Sequence, residues 1–590
     1  MVLLHGGHRT HAQAETCGRE DIMKPGPLCL LAALGVASPA LSLSAAEKVR
    51  YLQQGWTEQV REWFYYTPQG SHMIPYPWFM ALERPTGPGM FADSDNLERY
   101  GFVPADGRSY LNPGGLPIGF AIEPVKQGQE AAESPQGMGQ VPLSRPFLGL
   151  TCAACHTANV SVGGELIRID GAPARLDFDT FYADLVSAVT RTLFDEERFK
   201  RFAARVVGQR AVTEASALKL ELAASQTRMA GEATMRRPVL ASGFGRVDAL
   251  TQILNSIATR DQGTPVNIRP AIAPTSYPAL WLTPQLEYVQ WNPLASNPLG
   301  RNGGQVLGVF GEVTLNGRQE DVFASTILVE KLHEMELWIR DLKPPRWEEI
   351  GRVNTELAET GERLFRQHCA SCHNAPPYRL TNRDDNAFKK QFIAIGRVDY
   401  KDLGVDPVYV ESFAQRFVQT SEATNLGNER PVIHASEYFG GTLERVIDRA
   451  IKDAKITDRN KLFDMIGYRR RPAKTPGAPE EGYKPRSLTE LKASPLAGVW
   501  ATGPYLHNGS VPTVYELLSP MNERRNVFWT GGLELDTERL GYVSDEAPSL
   551  FRFDTSLPGN RNTGHLYPSH GLSPDERMAI IEYLKKDPGS

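Results

Sequence analysis

Four cysteines of this sequence stand in two short motifs that share one spacing and one following residue. In each motif two cysteines are separated by two residues, and a histidine comes directly after the second. The motifs are Cys152, Cys155 and His156, and Cys369, Cys372 and His373. Thiols at this spacing can form thioethers to both vinyl groups of one haem, and the histidine then lies under the iron as its proximal ligand. The two motifs therefore predict two covalently bound haems c.

Other uses of paired cysteines fit this pattern less well. A four-cysteine zinc site has its two pairs roughly 15–20 residues apart, whereas Cys152 and Cys369 are 217 positions apart. A redox-active dithiol would explain one pair, but it would not explain a histidine after both. Two structural disulfides stay an alternative, although a disulfide does not require the histidines either.

Helical patterns lie on either side of the second motif. Leu357, Gly361 and Phe365 recur on one helix face, and this predicted helix runs into the motif. Near the C-terminus, Ser573-Pro-Asp-Glu576 is a capping-box start that is followed by apolar residues at helical spacing. A helix that leads into the attachment motif and a closing amphipathic helix are the skeleton of a cytochrome c unit.

The expected fold is mainly α-helical, with two cytochrome c-type haem domains, long ordered loops and little β structure. A helical stripe of apolar residues ends at Pro344-Pro345, and this dipeptide is typical of a linker. The predicted domains are therefore residues 47–343 around the first motif and residues 344–590 around the second.

The composition and the N-terminal segment limit which classes of protein this sequence can belong to. With 590 residues, 41% hydrophobic and 23% charged, the chain is long enough for several globular units and is not disordered. A net charge of −5 leaves no basic field for nucleic acid. Residues 23–46 resemble a signal peptide, after a leader extension at residues 1–22. Because no second apolar run reaches ~18 residues, we expect a periplasmic or secreted protein without stable membrane insertion.

The chain is larger than an electron carrier requires. A carrier cytochrome needs on the order of 100 residues per haem, and this sequence has roughly 270 per motif after residue 46. The surplus predicts a substrate pocket over one iron, and therefore an enzyme. Histidines are few around the first motif and frequent around the second. We therefore expect an open iron at the N-terminal, active-site haem and a bis-histidine iron at the C-terminal, electron-transfer haem. His565 is the candidate sixth ligand there, with Met465 and Met521 as alternatives.

Two further stretches complete a family pattern. They are Trp500-Ala-Thr-Gly-Pro-Tyr-Leu-His-Asn-Gly-Ser-Val-Pro-Thr513 and the dipeptide Gly564-His565. With these and both motifs, the chain resembles the bacterial di-haem cytochrome c peroxidase superfamily, in particular its di-haem rubber oxygenases and unsaturated fatty-acid oxygenases. The resemblance covers most of residues 95–588. It implies that the haem at His156 binds dioxygen and that His373 and His565 are the axial ligands of the second haem.

The resemblance also places the wall over the active haem between residues 277 and 310. Peroxidases of the superfamily carry a glutamate there, because peroxide cleavage needs a group that moves a proton between two oxygens. The matching residue here is Gln305, an amide that cannot accept the proton, and the nearest acid is Glu312. Phe310 matches the distal phenylalanine of the rubber oxygenases, and Trp291 lines this pocket, lies between the haems or belongs to ordinary core. Gln305, Phe310 and Trp291, with the histidine of the first motif, are the candidate catalytic residues.

These inferences favour an exported dioxygenase that acts on an alkene of an apolar substrate, either polyisoprene or an unsaturated fatty acid. One alternative is a hydrogen peroxide reductase that receives electrons from a small periplasmic donor protein. Another is an electron-transfer or protein-modifying di-haem cytochrome. The resemblance also allows a calcium ion as a cofactor, although no acidic loop in the sequence identifies its site.

Overall fold

The computed structural model describes the chain in six stretches. They are residues 49–125, 145–296, 298–385, 390–425, 430–466 and 488–586. The predicted leader extension and signal peptide, residues 1–22 and 23–46, lie outside these stretches.

Sixteen α-helices occur in the described residues, and most of them are short. They are α1 (Glu58–Tyr66), α2 (Tyr76–Ala81), α3 (Ser94–Glu98), α4 (Phe178–Phe194), α5 (Glu196–Val207), α6 (Ala211–Arg236), α7 (Ala249–Asn255), α8 (Pro298–Gly308), α9 (Val329–Asp341), α10 (Thr355–His368), α11 (Tyr400–Leu403), α12 (Val408–Ala414), α13 (Ala435–Asp453), α14 (Arg459–Ile466), α15 (Val514–Leu517) and α16 (Pro574–Lys585). None of these described helices has both the length and the apolar character that a bilayer crossing needs.

Sixteen strands pair into seven small sheets within the same stretches. They are β1 (Arg50–Tyr51), β2 (Ile74–Pro75), β3 (Phe120–Glu123), β4 (Phe147–Leu150), β5 (Thr157–Val162), β6 (Glu165–Asp170), β7 (Arg246–Val247), β8 (Thr275–Ser276), β9 (Gly396–Asp399), β10 (Phe417–Gln419), β11 (Val432–His434), β12 (Glu490–Ala493), β13 (Val527–Thr530), β14 (Leu535–Asp536), β15 (Gly541–Tyr542) and β16 (Phe551–Asp554). Two sheets have three strands, in the orders β1-β6-β5 and β2-β4-β3. The other sheets are two-stranded: β7-β8, β12-β9, β10-β11, β13-β16 and β14-β15.

The prediction of a mainly α-helical fold with little β structure is wrong. Helices of all kinds make up 41% of the structure and strands 14%, so the content is mixed. The hairpin of β5 and β6 could have been predicted from its Gly163-Gly164 dipeptide, which is typical of a two-residue hairpin turn. In the structure these glycines have φ values of 58° and 87°, as such a turn requires. The remaining strands have two to four residues, and alternation cannot be recognised over so short a run.

The structure also shows no clear division into two cytochrome c haem domains. Residues Lys48–Ser590 form one compact unit, and one hydrophobic cluster joins Leu52 to Trp500 across Pro344-Pro345. The Trp500 indole donates a hydrogen bond to the carbonyl of Pro345 (3.1 Å), so the expected linker is packed against the core. The domain boundary between residues 343 and 344 stays a prediction.

The two helices expected around the second motif are confirmed. α10 ends at His368, directly before the motif, and α16 begins with the capping box of Ser573 and Glu576. The helices pack closely at Gly361, where a Cβ would collide with the carbonyl oxygen of Ala579. This contact fixes the end of α10, and therefore the start of the motif, against the closing helix.

Candidate functional site

A single 3₁₀ turn presents the first attachment motif. It comprises Cys152–Ala154 and lies between β4 and β5, with the Thr151 hydroxyl accepting a hydrogen bond from the backbone of Ala153 (3.2 Å). The His156 ring donates a hydrogen bond from Nδ1 to the carbonyl of Pro278 (2.8 Å). Because Nδ1 carries the proton, Nε2 keeps the lone pair that can bind a metal.

The second motif repeats this arrangement. His373 donates from Nδ1 to the carbonyl of Ser494, also at 2.8 Å. In each case the acceptor comes from a segment more than 100 residues further along the chain, 122 positions for His156 and 121 for His373. The structure therefore orients both motif histidines in the same way for ligation through Nε2.

Both motif histidines are held in the neutral form that binds metals. Burial lowers the pKa of His156 to about 4, although the hydrogen bond to Pro278 acts in the opposite direction. Burial also lowers the pKa of His373, again against the effect of its bond to Ser494. A neutral imidazole is the form of histidine that ligates a metal ion.

A cavity with a volume of about 300 Å³ adjoins the second motif. Cys369, Cys372 and His373 line it on one side, and His565 lines it as well. Most of the other lining side chains are apolar, such as those of Leu403, Leu491, Val514 and Ile580. The cavity therefore combines both thiols of the motif with four histidines in a largely apolar enclosure. They are His368, His373, His507 and His565.

The geometry of the two imidazoles fits one iron between them. Metal ions bind imidazole nitrogen at about 2 Å, so two rings on opposite sides of one ion have centroids roughly 6 Å apart. The ring centroids of His373 and His565 are 6.1 Å apart. Burial, and next the neighbouring His373, lower the pKa of His565 to about 3, so this ring is also neutral. These residues fit a haem c with two histidine ligands.

The backbone holds His565 in a strained position. Its φ is +55°, a value that non-glycine residues rarely adopt. Its backbone N–H donates to the carbonyl of Leu403 (2.8 Å), and the Arg524 guanidinium donates to the carbonyl of Gly564 (2.9 Å). Strain of this kind is kept where the surroundings enforce it, commonly at functional sites.

Near the first motif, Phe310 belongs to an aromatic cluster. The side chain is fully buried, and its ring centroid lies 4.8 Å from that of Tyr182 and 5.8 Å from that of Phe178. The hydrophobic core cluster that contains Phe310 also contains Ala154 of the motif, and Cys155 packs against this cluster. The structure thus places Phe310 in the apolar surroundings of the first motif.

Four successive carbonyls hold the turn around Phe310. Its φ is +70°, and each carbonyl of residues 308–311 accepts a hydrogen bond. The donors are Arg236 Nη1 to Gly308 (2.6 Å), Ser71 Oγ to Val309 (2.5 Å), the His72 backbone to Phe310 (2.9 Å) and Arg260 Nη2 to Gly311 (2.6 Å). The strained turn is therefore fixed at every peptide.

A buried carboxylate joins two of these donors. Glu232 accepts hydrogen bonds from Arg236 (2.9 Å) and Arg260 (2.8 Å), and all three side chains are nearly inaccessible to solvent. Burial alone would raise the pKa of Glu232, but the guanidinium groups around it lower the pKa to about 2. Glu232 is therefore ionised and keeps both arginines in place beneath the Phe310 turn.

The other predicted residues lie apart from one another. Gln305 is an exposed residue of α8. Glu312 is partly exposed, and its carboxylate lies 3.9 Å from the Arg228 guanidinium. Trp291 lines the cavity of the second motif and donates from its indole to the carbonyl of Ser276 (2.9 Å). The structure thus brings Trp291 to the second site, and the roles of these residues stay predictions.

The segment from Tyr277 to Trp281 adjoins both sites. The carbonyl of Pro278 holds His156, while Tyr277, Pro278 and Trp281 line the cavity that His373 faces. Sequence reasoning missed Pro278 and Ser494 as partners of the motif histidines, because a backbone carbonyl has no side-chain signature. Proline was the available sequence signal, because proline and the residue before it favour extended backbone. Pro278 is itself a proline, and Ser494 directly precedes Pro495.

Within the described stretches, no group of three or more histidine, cysteine, aspartate or glutamate side chains could hold a separate metal ion. Calcium therefore stays a prediction without a site in this part of the chain.

Comparison with known proteins gives the family. The chain is 33% identical over 585 residues to the uncharacterized protein y4iJ of Sinorhizobium fredii, covering 91% of this chain and 93% of that relative. The chain belongs to the y4iJ family. A second uncharacterized protein of the same organism, y4iM, is 25% identical to this y4iJ-family chain over 311 residues, which cover 50% of the chain and 58% of the relative.

One region of the y4iJ-family chain matches a protein family whose description names its chemistry. Residues 491–530 match a family described as RoxA-like, cytochrome c-like. This region contains Ser494, which orients His373. A cytochrome c-like domain implies covalently bound haem c, and the relation to RoxA-like cytochromes indicates a haem-dependent oxidoreductase. At this level the predicted cofactor and class of protein are confirmed, whereas the number of haems, the peroxidase superfamily and the oxygenase reaction stay predictions.

Proposed function

We propose that the protein is an exported oxidoreductase with two haems c. Its first site, at His156, oxygenates an alkene of an apolar substrate, and its second site, at His373 and His565, transfers electrons. The difference between the two sites carries this proposal. A second imidazole faces His373 at a ligating distance, whereas among the described residues the aromatic ring near His156 is that of Tyr277, with ring centroids 6.3 Å apart.

At the first site the side chains bind the iron and control the environment of the substrate. A haem c bound here would supply dioxygen activation and one-electron chemistry. His156 would hold it through Nε2, because the Pro278 carbonyl keeps the proton on Nδ1. Phe310, packed against Tyr182 and Phe178, contributes to the apolar surroundings that exclude water from this region. Gln305 can form hydrogen bonds through its amide, but it cannot take up a proton as a carboxylate does.

At the second site the chain favours storage and transfer of electrons. His373 and His565, both neutral, would hold the haem iron here, and a haem held by two histidines would supply mainly electron storage and transfer. Pro278 is part of the cavity wall here and also contacts His156. The two proposed sites therefore share Pro278 as a common wall residue.

The proposed substrates are polyisoprene or an unsaturated fatty acid, with dioxygen as the second substrate. The apolar cluster around Phe310 supports this class. Export to the periplasm or beyond is proposed from the signal-peptide pattern of residues 23–46.

The test is oxygen consumption by the purified holoprotein with an unsaturated fatty acid or a polyisoprene emulsion, with catalase present and no added reductant. We expect uptake that depends on the alkene and is lost in His156→Ala. His570→Ala, which removes an exposed histidine, serves as the control and should keep the wild-type rate. Full activity in His156→Ala would contradict the assignment of the first site.

Hydrogen peroxide reduction is the second candidate, and one observation favours it. The His72 ring lies 3.1 Å from the Glu123 carboxylate, and both are largely buried. Because the His72 backbone donates to the carbonyl of Phe310, this pair lies beside the proposed distal turn, where proton transfer to peroxide would be useful. Peroxide consumption with a reduced donor cytochrome, lost in Glu123→Gln while alkene-dependent oxygen uptake is absent, would favour this candidate.

A further inference from the structure

Lys492 is a lysine of β12 that lines the cavity of the second motif. The strand is held on both sides, since β12 pairs with β9 and the Lys492 backbone N–H donates to the carbonyl of Trp291 (2.8 Å). The ammonium group therefore projects from a fixed backbone in a wall that also contains Trp291 and His507.

The Lys492 ammonium has no counterion among the described residues. The acid nearest to it along β12, Glu490, pairs with Arg397 at 3.3 Å. Burial, followed by the positive charge of Arg301, lowers the pKa of Lys492 to about 8, and no carboxylate opposes these effects. The Lys492 side chain is partly exposed in the cavity wall, so an anion in the cavity is needed to balance its charge.

Arg301 does not remove that requirement. It is itself buried and paired with the Glu336 carboxylate, which also accepts a hydrogen bond from Asn302 (3.2 Å). Arg301, Glu336 and Lys492 together carry one net positive charge. Since Arg301 and Glu336 also act electrostatically on Cys152, this charge cluster extends from the first motif to the cavity of the second.

We propose that Lys492 forms an ion pair with a carboxylate side chain of the haem attached at Cys369 and Cys372. The inference rests on the proposed haem binding at this site. Haem carries two carboxylates, and one of them would neutralise the single positive charge of the cluster. Lys492 is thereby a positioning residue that binds the cofactor and raises the reduction potential of the second haem, since a nearby cation favours the ferrous form.

The experiment compares purified holoproteins by haem content and by spectroelectrochemical titration of both haems. Lys492→Met removes the charge and keeps most of the apolar stem, while Lys492→Arg keeps the charge. Lys401→Met is the control, because Lys401 is an exposed lysine of α11, two residues before the cavity residue Leu403. Resonance Raman spectra report the bending modes of the haem carboxylates in the same samples.

We expect Lys492→Met to keep both haems, to lower the midpoint potential of one haem and to shift one carboxylate bending mode. Lys492→Arg should have a midpoint potential and a carboxylate bending mode close to those of the wild type, and Lys401→Met should change neither. If Lys492→Met yields no holoprotein, Lys492→Gln is compared with Lys492→Arg, and the same downward shift is expected for Gln alone. Unchanged potentials and Raman modes in a fully loaded uncharged variant would overturn the proposal. A wild-type protein without haem would instead contradict the proposed function itself.

Discussion

At the scale of single residues, His156 and His373 are central, because each is neutral and each donates from Nδ1 to a backbone carbonyl. The cysteine spacing and the following histidine could be recognised because thioether formation and ligation are local chemistry. The partners of His156 and His373 could not, since they are backbone carbonyls of Pro278 and Ser494, which approach only through the fold. His565 was found as a candidate through its Gly-His dipeptide, and its ring does face His373.

The first prediction concerns His565. We expect His565→Ala to keep the haem at the second motif, because both thioethers remain, but to convert its iron from a low-spin to a high-spin form. Loss of one imidazole removes the strong ligand field that two histidines provide. Absorption and electron paramagnetic resonance spectra of the ferric protein measure the change.

His570→Ala is the matched control for that variant, since His570 is an exposed histidine five residues further on. Its spectra should equal those of the wild type. A low-spin spectrum retained in His565→Ala would show that another residue, such as Met465 or Met521, is the sixth ligand.

At the scale of elements, the ion cluster on α6 fixes a turn that lies far from it in the sequence. Glu232 of α6 holds Arg236 and Arg260, and these arginines bind the carbonyls on either side of Phe310. The pair of Glu232 and Arg236 is a local contact, four residues apart on α6. Arg260 lies 28 residues after Glu232, and its carbonyl acceptor Gly311 lies a further 51 residues on, so no local pattern could have predicted the link to the Phe310 turn. The helices around the second motif were predictable, since each carries its own periodicity and cap.

The second prediction tests this cluster. Glu232→Gln should destabilise the protein by about 3–5 kcal/mol, because it removes the carboxylate that buried Arg236 binds and leaves Arg260 with the carboxylate of Asp261 alone. Glu221→Gln on the same helix breaks the partly exposed pair with Arg145 and should cost at most about 1 kcal/mol. Denaturant unfolding of the holoproteins at pH 7 measures both free energies of unfolding, and equal values for the two variants would contradict this role of Glu232.

The third prediction concerns how the free energies of unfolding of the wild type and of Glu232→Gln depend on pH. The pKa of Glu232 is about 2 in the folded protein, below its ordinary value of 4.5. The stabilisation from its charge is therefore complete above about pH 4.5 and is lost as the pH falls towards 2. The difference in free energy of unfolding between the wild type and Glu232→Gln should shrink over that range. A difference that is independent of pH would contradict the electrostatic explanation.

The fourth prediction concerns the contact between α10 and α16. Gly361→Ala places a methyl group against the carbonyl oxygen of Ala579, so we expect a loss of about 1–3 kcal/mol through overpacking. Gly231→Ala on α6 is the control, because open space surrounds that position, and there alanine should stabilise the helix by about 0.5–1 kcal/mol. Thermal unfolding compares the two variants, and equal effects would show that the helices separate easily.

At the scale of the whole molecule, the sequence motifs predict the class of cofactor, whereas the sequence periodicity does not predict the mixed helix and strand content. The haem class follows from two short motifs and agrees with the cytochrome c-like match. The expected helical fold failed because many short strands come from distant parts of the chain, and β1 for example pairs with β6 across more than 100 residues. One hydrophobic cluster contains residues on both sides of Pro344-Pro345, and the domain boundary between residues 343 and 344 stays a prediction.

The central claim is that both motifs carry covalently bound haem, and the mass of the purified chain tests it most directly. Intact-protein mass spectrometry, with pyridine haemochrome absorption on the same sample, should show two haems per chain. It should show one in a variant with both Cys369→Ser and Cys372→Ser. A chain without haem whose four motif cysteines form two disulfides would contradict the account.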